Sequence, residues 1–284
     1  MTAARTSVAD KRQAFHRLHA DGCFVIPNPW DVGSARMLQS MGFPALATTS
    51  SGLAWALGRP DNGISLEMAL AHLAELVEAT DVPVNADFED GFASAPDDVA
   101  TNVRAAVETG VAGLSVEDST GREDDPLYSV DDAVERIRAA RRAIDATGGD
   151  TLLVARAEGL LWGRPSLDEI VVRLTSYASA GADCLYAPGL RRPDDIARIV
   201  EAVAPKPLNV LMAWPDDITV DDLAALGVRR ISVGGALARA AWGGFLDAAR
   251  LLAEEGRFDG FGRGAKGVDL DTFFTDDRGS ARPS

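Results

Sequence analysis

Cysteine is scarce in this 284-residue chain: there are two, Cys23 and Cys184. Two thiols exclude a disulfide scaffold, and neither has a partner at metal-site spacing. Both adjoin apolar runs and are expected as buried thiols in a reducing cytoplasm. Histidine is nearly as thin. His16, His19 and His72 fall in helix-like stretches away from any strand end, which argues against zinc. Positive charge is in deficit, with 28 Lys and Arg against 43 Asp and Glu and a net charge of −15. A field of that sign repels phosphate backbones and anionic bilayers, so neither nucleic acid nor a membrane is expected as a partner. No run approaches the ~20 apolar residues of a membrane span, and the N-terminal stretch is polar and helix-like, without the apolar core of a secretory signal. No GxGxxG follows the first strand candidate, which removes the dinucleotide-binding reading. No lysine ends an apolar run, since Lys206 precedes its strand, so a Schiff-base aldolase is disfavoured.

What is present is a beat. Eight short apolar runs alternate with longer amphipathic stretches: Phe24–Pro27, Ala45–Thr49, Val82–Ala86, Gly113–Val116, Thr151–Ala155, Asp183–Ala187, Leu208–Met212 and Arg230–Val233. Between them the spacing predicts helices over Asp31–Met41, Ser65–Ala79, Pro96–Glu108, Val130–Ala146, Ser166–Ser179, Pro193–Val203 and Val220–Leu226. The phrases MGFPAL, TGVAGL, AGADCL and LGVRRI repeat one turn, a glycine after a helix followed by an apolar strand. Eight such units predict an α/β fold, a (β/α)8 TIM barrel, with an open doubly wound sheet as the alternative. Residues 1–257 are expected as a single barrel domain with an N-terminal and a C-terminal helix. Residues 258–284 read as a Gly-rich, charged tail, partly ordered in GRGAKGVDLDTFF and disordered in DDRGSARPS.

Barrel enzymes carry their chemistry on the C-terminal ends of strands. Here those ends are rich in acid: Asp31 after strand one, Asp87, Glu89 and Asp90 after strand three, Glu117 and Asp118 after strand four, and Arg156 with Glu158 after strand five. Like charges gathered at one mouth are costly without a cation. Hard oxygen donors suit Mg2+ or Mn2+. Bland readings stand beside these. Asp31 and Asp118 could be caps, Asp90 a loop residue, and Arg156 a simple ion-pair partner. Ser51–Gly52–Leu53 offers a hydroxyl and flexible backbone N–H groups to an oxyanion, or is only a turn. Thr49, Asn209 and Ser232 also stand at strand ends and are counted with the substrate-binding residues.

In order and spacing, PNPWDVGSARMLQSMGFPALATTSSGLAWALGRPDNGIS, PVNADFEDGF, GVAGLSVEDS, LLVARAEGLLWG, YASAGADCLYAPG and LGVRRISVGGALARAAWGGF together resemble the isocitrate lyase / phosphoenolpyruvate mutase superfamily. The resemblance runs from about Phe24 to Ala241. It implies a barrel that binds Mg2+ and a small oxoacid, with a C-terminal helix exchanged between subunits of a homo-oligomer, dimer or tetramer. Ser51, Gly52 and Leu53 then match the segment holding the substrate carboxylate, and Arg156 the arginine that grips it. Asp61 matches an aspartate near the reacting end, and Asp87 and Glu117 match metal-shell carboxylates. Two departures stand out. The family's Asp-x-Asp reads Asn85-Ala86-Asp87 here, so Asp87, Asn85 or Glu89 must serve the metal with Glu117. The loop after strand four, Ser119 to Tyr128, has none of the lysine, cysteine and histidine of the true lyases.

The expected function is therefore an Mg2+-dependent C–C lyase or decarboxylase acting on a 2-oxo or 2-hydroxy di- or tricarboxylic acid of oxaloacetate type, through a metal-stabilised enolate. Asp61, Arg156 and Glu117 would be catalytic, and the proton would come from water, Asp61 or Tyr128. The alternatives are P–C cleavage or rearrangement of a phosphonopyruvate-like acid, and a barrel that binds a metabolite without turnover.

Overall fold

Runs of Val, Ile, Leu and Ala that are apolar on both faces must be covered on both sides, and a parallel sheet wrapped in helices does this. The computed structural model describes residues 5–163 and 166–276. Its eight strands are β1 (Phe24–Ile26), β2 (Leu46–Ala47), β3 (Val84–Asp87), β4 (Gly113–Glu117), β5 (Leu152–Arg156), β6 (Cys184–Tyr186), β7 (Leu208–Leu211) and β8 (Arg230–Ser232). Their order is β1-β8-β7-β6-β5-β4-β3-β2, with every ladder parallel. The join between β1 and β2 is made differently. The Ala47 amide donates to Pro27 O at 3.1 Å. Asn28 Nδ2 donates to Thr48 O at 2.8 Å, while Asn28 Oδ1 accepts from Val233 N and Gly234 N at 2.9 and 2.8 Å. One buried asparagine thus ties three strand ends into a nearly closed (β/α)8 barrel.

The outer helices are α1 (Val8–Ala20), α2 (Val32–Ser40), α3 (Ser50–Ala56), α4 (Leu66–Ala79), α5 (Pro96–Glu108), α6 (Val130–Ala146), α7 (Leu167–Ser179), α8 (Pro193–Val203) and α9 (Val220–Ala225), followed by α10 (Ala236–Glu255) and α11 (Gly267–Asp276). Side-chain N-caps start many of them: Ser7, Asp31, Thr49, Ser65, Ser129, Ser166 and Thr219 each accept a first-turn N–H. The helix ranges predicted for α5, α6 and α8 coincide with those observed. The one missed among the barrel helices is α3, where Thr-Thr-Ser-Ser-Gly reads locally as a turn.

Helix α1 plugs the N-terminal end of the barrel. Phe15 is fully buried and packs with Phe24, Ile26, Ala45, Ala47, Ala112 and Leu152. Gly113 makes room for it, since a Cβ there would lie 2.7 Å from the Phe15 ring. Above the plug, Arg230 on β8 donates to Asn85 Oδ1 on β3 at 3.2 Å. Those strands are not neighbours, so the bond crosses the lumen and marks a polar layer between plug and mouth.

Residues Thr6–Leu237 form one compact unit, and the described residues from Ala238 onward belong to a second. In the second, Gly260 packs on α10, where a Cβ would meet Ala248 Cα at 2.9 Å. It exposes Trp242, Phe245, Leu252, Phe258, Phe261 and Val268. The segment expected as a partly ordered tail contains a 3-10 turn, Asp259–Arg263, and helix α11, while residues 277–284 lie outside those described. Cys184 is buried, but Cys23 is only half-buried, a correction to the expectation for both. No described helix is long and apolar enough to cross a membrane.

Candidate active site

Asp87, Glu117 and Arg156 are the last residues of β3, β4 and β5, and the barrel brings all three together. Arg156 Nη1 donates to Asp87 Oδ1 at 3.2 Å and lies 3.2 Å from Glu117 Oε2. Its Nε and Nη2 donate to the carboxylate of Glu158, the latter at 3.1 Å. Strand alternation explains the set: residues i and i+2 share a face, so Arg156 and Glu158 point the same way. The same rule could have assigned Glu158 its place from sequence, where it was noticed but given no role.

Asp87 is braced from the neighbouring strand end. Its peptide N–H donates to Thr48 Oγ1 at 2.8 Å, and its Oδ2 accepts from the N–H and hydroxyl of Ser50, both at 3.0 Å. Ser50 was not anticipated. It acts because α3 starts here, with its first turn against β3. That helix changes the expected anion cradle. The Gly52 N–H donates to Thr49 Oγ1 at 3.3 Å and the Leu53 N–H to Thr49 O at 3.0 Å, so these amides serve α3 itself. The Ser51 hydroxyl lies 3.1 Å from Thr49 Oγ1. Gly235, after β8, closes over it; a Cβ there would fall 2.8 Å from Ser51 Oγ.

Glu89 sits at the mouth with its backbone at φ 46°, in the left-handed region, as does Phe92 at φ 54°. Non-glycine residues take that conformation at a cost, commonly near functional sites. The Glu89 carbonyl accepts the Glu117 N–H at 2.9 Å, which anchors the loop to β4. Its carboxyl is buried, Oε1 has no hydrogen-bond partner, and burial with the charges of Asp87, Asp61 and Asp90 pushes its pKa up to about 8. Arg136, from α6, fastens this loop from outside by donating to Asp90 O, Ala93 O and Ser94 O. Asp61 is exposed as a residue, yet its carboxyl pKa is raised by desolvation and then by Asp87.

Several candidates have other work. Asn85 lies deeper, with Oδ1 toward Arg230 and Nδ2 donating to Ala86 O at 2.9 Å, so its amide is engaged away from the acids at the mouth. Asn209, paired in register with Tyr186, donates from Nδ2 to Ser232 Oγ at 3.0 Å, and the Arg156 guanidinium lies over the Tyr186 ring at 5.3 Å. Asp31 caps α2. Asp90 Oδ1 accepts from Phe92 N in its own loop. Asp118 is buried, accepting from Glu158 N, Arg173 Nη1 and Tyr177 Oη. Tyr128 stacks under Arg136 at 4.1 Å, and its N–H donates to Asp118 O. The loop after β4 is a small hairpin bridged at Ser119 and Leu127.

Charge decides what the site can hold. One guanidinium is shared by Asp87, Glu117 and Glu158, with Glu89 and Asp61 nearby. Burial raises the pKa of Glu117 and of Glu158 in spite of Arg156, so one cation does not offset the desolvation of that many acids. Surplus oxygen donors and the orphaned Glu89 Oε1 fit a hard divalent ion. Among the described residues no three Asp, Glu, His or Cys converge as a ready cage. A cation here would therefore take one or two carboxylates and keep waters, the Mg2+ habit.

The phosphoenolpyruvate phosphomutase family model matches residues 15–253. An oxaloacetate decarboxylase of Pseudomonas entomophila (strain L48) is 32% identical over 262 residues, covering 87% of this chain and 86% of that protein. A solved structure from Burkholderia cenocepacia J2315, of the lyase/mutase class, superposes with a TM-score of 0.92 at 48% identity, covering 94% of this chain and 97% of that one. The structure of oxaloacetate acetylhydrolase in complex with its product oxalate superposes with a TM-score of 0.82 at 28% identity, covering 94% and 93%.

Proposed function

Because this chain belongs to the phosphoenolpyruvate phosphomutase family, a family of lyases and mutases, we propose that it is a divalent-metal-dependent C–C lyase or decarboxylase. Its substrate class is a small 2-oxo or 2-hydroxy di- or tricarboxylic acid of oxaloacetate type. The observation that carries this reading is the Arg156 guanidinium set among Asp87, Glu117 and Glu158 at the barrel mouth. An arginine so placed receives an organic carboxylate, and acids in excess of it call for a second cation.

Asp87 and Glu117, with Glu89 beside them, would hold Mg2+ or Mn2+. Bound there, the ion supplies Lewis-acid polarisation of the 2-oxo group and charge stabilisation. The chain's own residues do the rest. Arg156 binds and orients the carboxylate adjoining the reacting carbon. Ser51 and Thr49 would offer it hydroxyls from the start of α3. Fixing the acid in this way removes orientational freedom before bond breaking. Asp61 reaches the cluster from the exposed side and holds a proton more firmly than an ordinary aspartate, so it or water protonates the product carbon. The apolar side chains exposed by α10 and the segment after it suit burial against another copy of the chain, and we read the protein as a homo-oligomer with that helix exchanged.

The test is a panel of oxaloacetate, substituted malates, isocitrates and phosphonopyruvate with Mg2+ and with Mn2+, following pyruvate, CO2 and phosphate. Metal-dependent release of pyruvate or CO2 is expected, falling at least ~100-fold in Asp87→Ala and Arg156→Ala. Phosphate and pyruvate released together from phosphonopyruvate with no turnover of the other acids, or full activity in both variants, would overturn the reading.

A further inference from the structure

Glu158 holds Arg156 in a way the other two acids do not. Its two carboxylate oxygens take Nε and Nη2, one whole edge of the guanidinium. Asp87 and Glu117 share the opposite nitrogen, Nη1, at 3.2 Å each. Asp87 also divides its attention, because its other oxygen serves Ser50.

Glu158 is itself anchored. It is 4% exposed. Its peptide N–H donates to Asp118 Oδ1 at 2.8 Å. The other oxygen of Asp118 accepts from Tyr177 Oη at 2.6 Å and Arg173 Nη1 at 2.9 Å, both on α7. Arg173 Nη1 also donates to Tyr128 O at 2.9 Å, and Nη2 to Glu169 Oε1 at 3.0 Å. A buried chain of bonds therefore runs from α7 through Asp118 to Glu158 and ends on Arg156.

We propose that Glu158 is a positioning residue. It locks the Nε–Nη2 edge of Arg156, so that the Nη1 edge is the one turned to the substrate carboxylate. The inference rests on the reading of Arg156 as the carboxylate-binding group. Arginine has several rotatable bonds, and a fork held on one edge loses that freedom before the ligand arrives, which strengthens binding. Glutamine at 158 keeps the shape but offers one acceptor oxygen and no charge. Aspartate keeps the charge but is one methylene shorter.

The experiment measures oxalate binding by calorimetry in saturating Mn2+, and Mn2+ binding itself by electron paramagnetic resonance, in wild type, E158Q, E158D and R156Q. In E158Q the oxalate Kd is expected to rise at least ~10-fold, as for loss of a charge-assisted bond, with the Mn2+ Kd within about threefold of wild type. E158D should recover part of the oxalate affinity. Should E158Q fail to fold, E158D alone decides, through a measurably weaker oxalate Kd at unchanged Mn2+ affinity. If R156Q loses oxalate while E158Q and E158D bind it as wild type does, the positioning role is wrong and the site reading stands. Mn2+ affinity falling together with oxalate affinity in E158Q would make Glu158 a metal ligand and also overturn the role. Oxalate binding intact in R156Q would sink the reading of Arg156 itself.

Discussion

Replacing Arg156 by methionine keeps an unbranched stem and removes the charge that Asp87, Glu117 and Glu158 share. Removing one partner of a buried pair costs about 3–5 kcal/mol, because the remaining charge has no counterpart. Here three acids lose theirs. At about 2–4 °C per kcal/mol for a protein of this size, the melting temperature near pH 8 should fall by roughly 6–20 °C. The sign of the pH dependence follows from burial. Folded carboxyls of Glu117 and Glu158 already lie above their usual range, and without Arg156 they rise further. A carboxyl raised in the folded state contributes stability that is fully present below its unfolded pKa, about 4.3, and is lost as pH rises through the folded value. Wild type minus variant should therefore be large at pH 8 and shrink toward pH 5. Chemical denaturation in a metal chelator at the two pH values measures it. An equal gap at both, or no destabilisation at pH 8, would show that Arg156 is not the counter-charge of these acids.

Four further outcomes are expected. Mn2+ at 100 times its Kd should stabilise the protein by about 2.7 kcal/mol, read as a thermal shift, and Asp87→Asn should remove most of it. In chelator, the contribution of Glu89 to stability should be lost as pH rises from 4.5 through about 8, its folded pKa, so that Glu89→Gln gains on wild type by on the order of 3 kcal/mol between pH 4.5 and pH 9. His19 is held neutral between Phe15 and Phe24, its pKa lowered to about 3 chiefly by burial. Its stability contribution is complete well above pH 6.5 and lost on acidification, so His19→Leu should lose about 2 kcal/mol less than wild type between pH 6.5 and 4.5 in urea titrations. Asp118→Ala, which strands Arg173 and frees the Glu158 amide, should cost roughly 3–5 kcal/mol by denaturant midpoint.

The barrel was legible because its signal is periodic: eight apolar runs, glycine-stopped helices, and acids collected on one set of ends. Asp87, Glu117 and Arg156 could be singled out since each closes an apolar run and so had to face the mouth. What stayed hidden depends on contacts between segments remote in the chain. Ser50 looks like a turn residue until α3 lays its first turn against β3. Asn85 looks like a weakened metal ligand until Arg230, 145 positions later, takes its amide oxygen. Glu158 was visible, but its bond to Arg156 is a matter of rotamers. Asp118 looks like a cap until α7 brings Arg173 and Tyr177 to its carboxylate, which no local pattern announces.

The seam between β1 and β2 has a consequence for how the mouth can vary. Elsewhere adjacent strands are laced by ladders that are indifferent to side-chain identity. At this one join, lateral cohesion rests largely on the amide of Asn28, and the edge it secures is the one that hands over into Ser50 and Ser51. A change at position 28 would thus loosen the entrance on the hydroxyl side, and with it the Thr48 and Ser50 bonds that brace Asp87, while the hold of Glu158 on Arg156 stays intact.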